Sequence, residues 1–150
     1  MTDSSYRYTL QALLRKRCAE LDVVKEELAG VNSRVAAHVQ MLDTKAARLL
    51  QLENAQRDLS QGGAIIDVEA RLRLHQCLRS ALLEKEQQAA QLRQAQQQQD
   101  EVMDRVRGAR QALKAIERHR EQSVGQFKLE QQRKAHLAAD ELHLANQYGS

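Results

Sequence analysis

Three side chains of the types that bind zinc share one face of a predicted helix. His136, Asp140 and His143 follow one another at spacings of four and three residues, the spacing of one helical face. Imidazole and carboxylate groups arranged in this way could hold Zn²⁺, but a structural zinc site needs four ligands. No fourth ligand stands near them in the sequence, so we predict no metal at these residues.

The adjacent glycines Gly62 and Gly63 are the other pattern that could belong to a reactive or ligand-binding site. A phosphate-binding loop continues with Lys and Ser or Thr after its last glycine. Here Ala64, Ile65 and Ile66 follow instead. The sequence also lacks the dinucleotide-binding glycine motif, a metalloprotease helix and a nucleophile elbow. We therefore predict a protein that is not an enzyme and carries no cofactor.

The composition indicates long helices rather than a layered globular core. The 150 residues include no Pro, no Trp, one Phe and three Tyr, and 29% are charged. Strong helix formers dominate the rest. The sequence has no apolar run long enough to span a bilayer, no secretory leader, and only Cys18 and Cys77 as thiols. We expect a cytoplasmic protein without disulfides.

Apolar residues follow a heptad pattern along the first half of the chain, which predicts a coiled coil. The first set of positions is Leu14, Leu21, Leu28, Val35, Leu42, Leu49 and Gln56. The second set is Leu10, Arg17, Val24, Val31, His38, Lys45, Leu52 and Leu59. In the second half the predicted seam is Val68, Leu78, Leu82, Ala89, Leu92, Met103, Val106 and Leu113, interrupted by Lys85, Gln96 and Gln99.

These patterns predict an all-α fold, in which two long helices form an antiparallel coiled-coil hairpin and the C-terminal helix is the longer one. We expect one domain over 1–150, with helices near 5–59 and 67–146 and a turn at 60–66 built on the two glycines. Ser4 or Ser5 could cap the first helix, and Asp67 the second. The register then places Leu14 opposite Leu113 and Leu59 opposite Val68.

The unequal helices leave part of the second one without a partner. Residues from about 120 to 146 are expected to project past the N-terminus, over about 40 Å at 1.5 Å per residue. This stretch carries Val124, Phe127, Leu137, Leu142, Leu144 and Tyr148. Apolar residues on an unpaired helix favour either a partner or end-to-end self-association.

Basic residues are concentrated at the same open end of the predicted hairpin. The members are Arg15, Lys16, Arg17, Arg105, Arg107, Arg110, Lys114, Arg118 and Arg120. Such a group could steer the protein toward an acidic partner in a salt-dependent way, or it could be an ordinary solvated helix surface. Arg17 opposite Arg110 in the seam would be unfavourable unless Glu20 and Asp104 relieve the repulsion.

Both ends of the chain resemble the FliJ/YscO family, the stalk proteins of bacterial type III export systems. The N-terminal "YRYTLQALLRKRCAELDVVKEELA" is similar to the family's opening, which has an aromatic, a Leu-rich turn, and then basic and acidic heptads. The C-terminal "QFKLEQQRKAHLAADELHLANQY" is similar to the family's end. The Gln-rich middle, "QQAAQLRQAQQQQDE", departs from many members.

The resemblance implies a function and a set of partners. A stalk of this family promotes the assembly and activity of the hexameric export ATPase, touches the export gate at the membrane, and escorts export chaperones. It is cytoplasmic, lies at the base of a flagellar or virulence secretion apparatus, and approaches the membrane only through its partners.

The resemblance also implies two contact surfaces. The terminal helices would enter the ATPase ring with the nine basic residues named above and with Phe127, Leu137 and Leu144. The turn would meet the export gate through Ile65, Ile66, Leu72, Gln76 and Arg79, although the two isoleucines could instead fold back onto the last layer of the hairpin.

Two other functions remain open at this stage. A self-associating coiled-coil scaffold or chaperone would explain why the seam of the second helix has fewer apolar residues. It predicts oligomers without an ATPase partner. An RNA-binding helical arm would use the basic residues, but the formal net charge is only +3 and stacking aromatics are few. We expect no nucleic acid partner.

Overall fold

The computed structural model describes residues 6–62 and 67–149, which form two long α-helices. Helix α1 spans Gln11–Gln61 and helix α2 spans Val68–Tyr148. The two helices pack against each other and run antiparallel, and no strand occurs in the two described ranges. The predicted all-α antiparallel hairpin with a longer C-terminal helix is confirmed.

Helix α2 begins at the residue that the sequence predicts as its cap. The Asp67 carboxylate accepts a hydrogen bond from the Glu69 backbone N–H at 3.1 Å, which satisfies one of the free donors of the first turn. The Asp67 carbonyl accepts another from the Arg71 N–H at 3.1 Å. Glu69 also contributes a carboxylate where the helix dipole favours one.

Helix α1 begins at Gln11 rather than near residue 5. Tyr6 and Tyr8 precede it without regular secondary structure, and the Tyr8 carbonyl accepts a hydrogen bond from the Gln11 N–H at 3.2 Å. The Tyr8 side chain is buried, so packing replaces the additional helical turn. The predicted caps Ser4 and Ser5 lie outside the described residues.

The turn predicted at residues 60–66 does not begin at residue 60. Ser60 and Gln61 still belong to α1, and the Gly62 N–H donates to the Asp58 carbonyl at 3.1 Å. Residues 63–66 lie outside the described residues.

The seam of α1 agrees with the heptad prediction over most of the helix. Every predicted position from Leu14 to Leu52 is buried or half-buried, including the polar Arg17, His38 and Lys45. The two ends differ, because Leu10 is 37% and Leu59 50% exposed.

The seam of α2 was predicted less accurately. Val68, Leu82 and Met103 are all exposed, so they lie outside the seam and Val68 does not bury Leu59. The positions of one heptad set are instead buried or half-buried: Leu74, Ala81, Gln88, Ala95, Val102, Ala109 and Ile116. A second set is half-buried or buried: Leu78, Lys85, Leu92, Gln99, Val106 and Leu113. The sequence interpretation passed over Leu74, Val102 and Ile116 as well as Gln88 and the alanines of the first set.

Contacts group the chain into two compact units. One unit is Val24–Val106, and the other combines Met1–Val23 with Arg107–Ser150. The interpretation of residues 1–150 as one domain stays a prediction.

The Val24–Val106 unit joins its two helices largely through polar side chains. The Gln88 amide contacts the His38 Nδ1 atom at 2.9 Å, and the Gln99 amide donates to the Asn32 side-chain oxygen at 2.8 Å. The Lys45 ammonium forms an ion pair with Glu84 at 3.0 Å. These layers are polar, yet each pairs a donor with an acceptor, as a half-buried coiled-coil interface requires.

The other unit has an apolar core built by the N-terminal segment. Tyr8, Leu14 and Ile116 form its buried cluster, with Tyr6, Leu13 and Leu113 packed against it. The sequence predicts Leu113 opposite Leu14, and Leu113 is half-buried and packs against the cluster that Leu14 forms with Tyr8 and Ile116.

Candidate protein-docking surfaces

The N-terminal segment is fastened to α2 by aromatic and polar contacts, which we call the tyrosine clasp (Tyr6, Tyr8, His119, Ser123 and Phe127). The Tyr8 hydroxyl lies 2.6 Å from the His119 Nδ1 atom and 3.5 Å from the Ile116 carbonyl oxygen. The Tyr6 hydroxyl contacts the Ser123 hydroxyl, and the Tyr6 and Phe127 rings lie 5.0 Å apart between centroids. Segment and helix therefore share both ring packing and hydrogen bonds.

Because of the tyrosine clasp, the fully exposed part of α2 begins further along the helix than the sequence predicts. Ser123, Val124 and Phe127 are half-buried, whereas every residue of 128–149 is exposed. We call residues 128–149 the C-terminal overhang. It begins later than the predicted residue 120, because Tyr6 lies against Phe127. Phe127, one of the predicted ring-contact residues, thus belongs to the packing of this chain and presents only part of its ring to solvent.

The overhang displays large apolar side chains. Leu137 is 56% and Leu144 51% exposed, which agrees with their predicted availability for a partner. Leu129, Leu142 and Tyr148 are also exposed. An exposed series of this kind on one helix is a candidate docking surface.

Basic side chains of the same unit are exposed along one face of α2. Arg107, Arg110, Lys114 and Arg118 are all exposed and follow each other at spacings of three and four residues, which places them on a common face. We call these four residues the basic face. The sequence interpretation grouped them by composition alone, although their spacing already indicates the shared face.

The remaining predicted basic residues of that unit are Arg15, Lys16, Arg17 and Arg120. Arg15, Lys16 and Arg120 are exposed. Arg17 is half-buried and forms an ion pair with Glu20 at 2.9 Å. The predicted opposition of Arg17 and Arg110 in the seam is wrong, because Arg110 is exposed and Ala109 occupies the half-buried position.

Arg105 lies in the Val24–Val106 unit and has an intramolecular partner. Its guanidinium donates to the Glu27 carboxylate, and this hydrogen bond lowers the pKa of Glu27 and raises the pKa of Arg105. A hydrogen bond from Lys45 lowers the pKa of Glu84 in the same unit in the same way. Arg105 is therefore already engaged with a carboxylate of its own chain.

The gate-contact residues predicted near the turn are described in part. Leu72, Gln76 and Arg79 are exposed and share one face of α2, at spacings of four and three residues. Leu72 also lines a shallow cavity together with Leu59 and Val68. Ile65 and Ile66 lie outside the described residues.

No metal site or membrane span is found in the part of the chain that the structure describes. Among residues 6–62 and 67–149, no three His, Cys, Asp or Glu side chains are placed to hold a metal ion. His143 contacts Gln147 at 3.4 Å instead. Neither helix is apolar enough over its described length to cross a membrane. Cys18 and Cys77 are free, exposed thiols.

Comparisons of this chain with protein-family models, with curated proteins and with solved structures each gave no match. Arguments about its function therefore depend on its own residues and on the arrangement described above.

Proposed function

We propose that this chain is the central stalk of a bacterial type III export ATPase complex, flagellar or virulence-associated. In this role it is a cytoplasmic, non-enzymatic protein at the base of the membrane-bound apparatus. It enters the hexameric ATPase ring with its terminal helical end, promotes assembly and hydrolysis, and links the ring to the export gate and the export chaperones.

One observation supports this proposal above the others: one compact unit carries both the basic face and the overhang. An exposed row of cations accelerates encounter with an acidic surface, and this effect weakens as salt screens the charges. Exposed leucines then supply the apolar area that a lasting contact buries. The basic residues that steer the encounter and the leucines that anchor the contact thus lie on the same helix, as insertion of that helix into a pore requires.

The far ends of the helices provide a second proposed contact. Leu72, Gln76 and Arg79 offer one apolar, one amide and one cationic group on a single exposed face. In this proposal a gate protein binds this face, and the ATPase ring binds residues of the other unit.

The first experiment is ATP hydrolysis by the cognate export ATPase, titrated with this protein and accompanied by sizing of the mixture. We expect stimulation together with hexamer formation. Replacing Arg107, Arg110 and Lys114 with Glu should abolish stimulation at physiological salt while circular dichroism stays unchanged, because all three side chains are exposed.

The matched control carries the same change of charge elsewhere. Arg57, Arg71 and Arg93 are exposed residues of the other unit, and their replacement with Glu should leave stimulation unchanged. Equal loss of stimulation in both triple variants would show a general charge effect and contradict a specific role of the basic face.

A self-associating scaffold is the second candidate function, favoured by the exposed leucines of the overhang. It predicts oligomers of the protein alone and no effect on the ATPase. The RNA-binding alternative gains less support, because Tyr6, Tyr8 and Phe127 are engaged in the clasp rather than presented for stacking on bases.

A further inference from the structure

The overhang continues the seam by which α2 packs on α1. Leu113 and Ile116 belong to the two heptad sets of that seam. Within the overhang, seven-residue steps extend one set to Glu130, Leu137 and Leu144 and the other to Lys134, Glu141 and Tyr148, all of them exposed. A seam that is buried along one part of a helix and exposed along the next is an interface with room for another helix.

The basic and the acidic residues of the overhang lie in different parts of the helix. Its first half carries Lys128, Arg133 and Lys134, with Glu130 as an exception, and the start of its second half carries Asp140 and Glu141. Leu137 stands between the basic and the acidic groups. A helix with this pattern is complementary in charge to an identical helix that runs in the opposite direction.

The same residues disfavour a parallel pair of overhangs. In a parallel pair, equivalent positions face each other, so Lys134 would meet Lys134 and Glu141 would meet Glu141. An antiparallel pair brings Lys134 near Glu141 and Arg133 near Asp140. Two-fold symmetry repeats both pairs, so each dimer would contain four attractive contacts around Leu137.

We propose that the overhang binds the overhang of a second copy of this chain, antiparallel and centred near Leu137. The pairing buries Leu137, Leu144 and Tyr148 and leaves Lys128, Leu129 and Leu142 on the outer face. This inference goes beyond the export role and does not depend on it. Since both contacts use Leu137 and Leu144, a paired overhang is closed to an ATPase ring until the dimer dissociates.

A charge-swap series tests the pairing on the full chain, with sedimentation velocity over a wide concentration range as the readout. Lys134→Glu and Glu141→Lys each replace two attractive contacts in the dimer with two repulsive ones, and each should raise the dissociation constant about tenfold. The double variant restores opposite charges and should return to the affinity of the parent chain.

Matched controls separate the seam from the outer face. Lys128→Glu makes the same change of charge outside the seam and should leave the dissociation constant within about twofold of the parent value. Leu137→Asp should abolish dimerisation, whereas Leu129→Asp should retain it. All these side chains are exposed, so circular dichroism should be the same for every variant.

Two results would overturn the proposal. One is a parent chain that stays monomeric at every concentration; the other is a double variant as weak as either single one. Sedimentation of the protein alone involves no ATPase, so failure here leaves the stalk proposal standing, and absence of ATPase stimulation leaves the dimer standing.

A disulfide experiment tests whether residue 137 lies at the centre of the pairing, and the charge-swap series reports the orientation. In a chain with Cys18→Ser and Cys77→Ser, Leu137→Cys should form an intermolecular disulfide under mild oxidation, because antiparallel pairing brings residue 137 of both copies together. Leu129→Cys should remain a free thiol. Rapid cross-linking through residue 129 and none through residue 137 would contradict the proposed arrangement.

Discussion

At the residue scale, Tyr8 has the densest set of interactions at the N-terminus. It is buried with Leu14 and Ile116, and its hydroxyl contacts the His119 Nδ1 atom and the Ile116 carbonyl. Because Gln11 begins α1 by donating to the Tyr8 carbonyl, the same residue both anchors the segment and starts the helix. Both the side chain and the backbone carbonyl of Tyr8 therefore make stabilising contacts at the start of the first helix.

Removal of the Tyr8 hydroxyl should have a measurable cost. We expect Tyr8→Phe to lower the free energy of unfolding by about 1 kcal/mol, since the buried ring still packs but the hydrogen bond between its hydroxyl and His119 is lost. Tyr8→Ala should cost about 3 kcal/mol, because the apolar cluster loses a ring as well. Urea denaturation followed by circular dichroism measures both values.

Tyr148 supplies the control for these substitutions, since it is an aromatic residue of the same unit and is 89% exposed. Tyr148→Ala should leave stability within about 0.5 kcal/mol of the parent. An effect of Tyr8→Phe no larger than that of Tyr148→Ala would mean that the contact with His119 contributes nothing to stability.

At the scale of the elements, neighbouring residues of α1 differ sharply in burial. Leu49 is 8% exposed, whereas Leu50 is 55% exposed. Leu49→Asp should lower the free energy of unfolding by about 3 kcal/mol or more, because it removes buried apolar surface and places a carboxylate in the seam. Leu50→Asp should change it by less than about 1 kcal/mol.

Thermal denaturation followed by circular dichroism separates the two variants. Similar melting temperatures for Leu49→Asp and Leu50→Asp would show that the heptad positions of α1 are wrongly assigned. A fall confined to the Leu49 variant would agree with the seam.

The two helices differ in how far their seams could be predicted. In α1 large aliphatic residues mark the buried positions, so the heptad is visible from residue type alone. In α2 the seam includes Ala81, Gln88 and Ala95, and small or polar residues give no signal by hydrophobicity. The seven-residue period would have identified these positions, because Leu74 and Val102 extend the same series in both directions.

The candidate docking surfaces were predictable from the sequence in part. The exposed leucines follow from the unequal helix lengths, and the basic face from spacing. The packing of Tyr6 on Phe127 was not predictable in this way, because it joins residues far apart in sequence through a segment that is not helical. The Asp67 cap, by contrast, is a local feature and was predicted to the residue.

At the scale of the whole molecule, the buried residues and the overhang occupy different stretches of sequence. The buried residues lie between Tyr8 and Ile116, while the overhang is exposed throughout. A chain that ends at Lys128 should therefore keep the melting temperature of the parent within about 2 °C. Stimulation of the export ATPase and dimerisation should both be lost.

Differential scanning calorimetry, sedimentation and the ATPase assay check this truncation together. A chain ending at Gln122, which also removes Phe127 and Ser123, is the informative comparison. It should melt at a lower temperature, because the Tyr6 contacts are lost with it. Equal melting of both truncated chains would contradict a stabilising role of the Tyr6 contacts.

The contact between Gln88 and His38 has a consequence for how this sequence can be altered. Gln88 is buried at 5% exposure, and its amide also points to the His38 carbonyl at 3.4 Å. If α2 slid by one heptad, this amide would face different side chains and would be buried without its acceptors, at a cost that an all-aliphatic seam would not impose. The alignment of the two helices is therefore encoded inside the interface, and not in the length of the connection between them. Insertions or deletions around Gly62 should consequently be tolerated without any change in which residues meet.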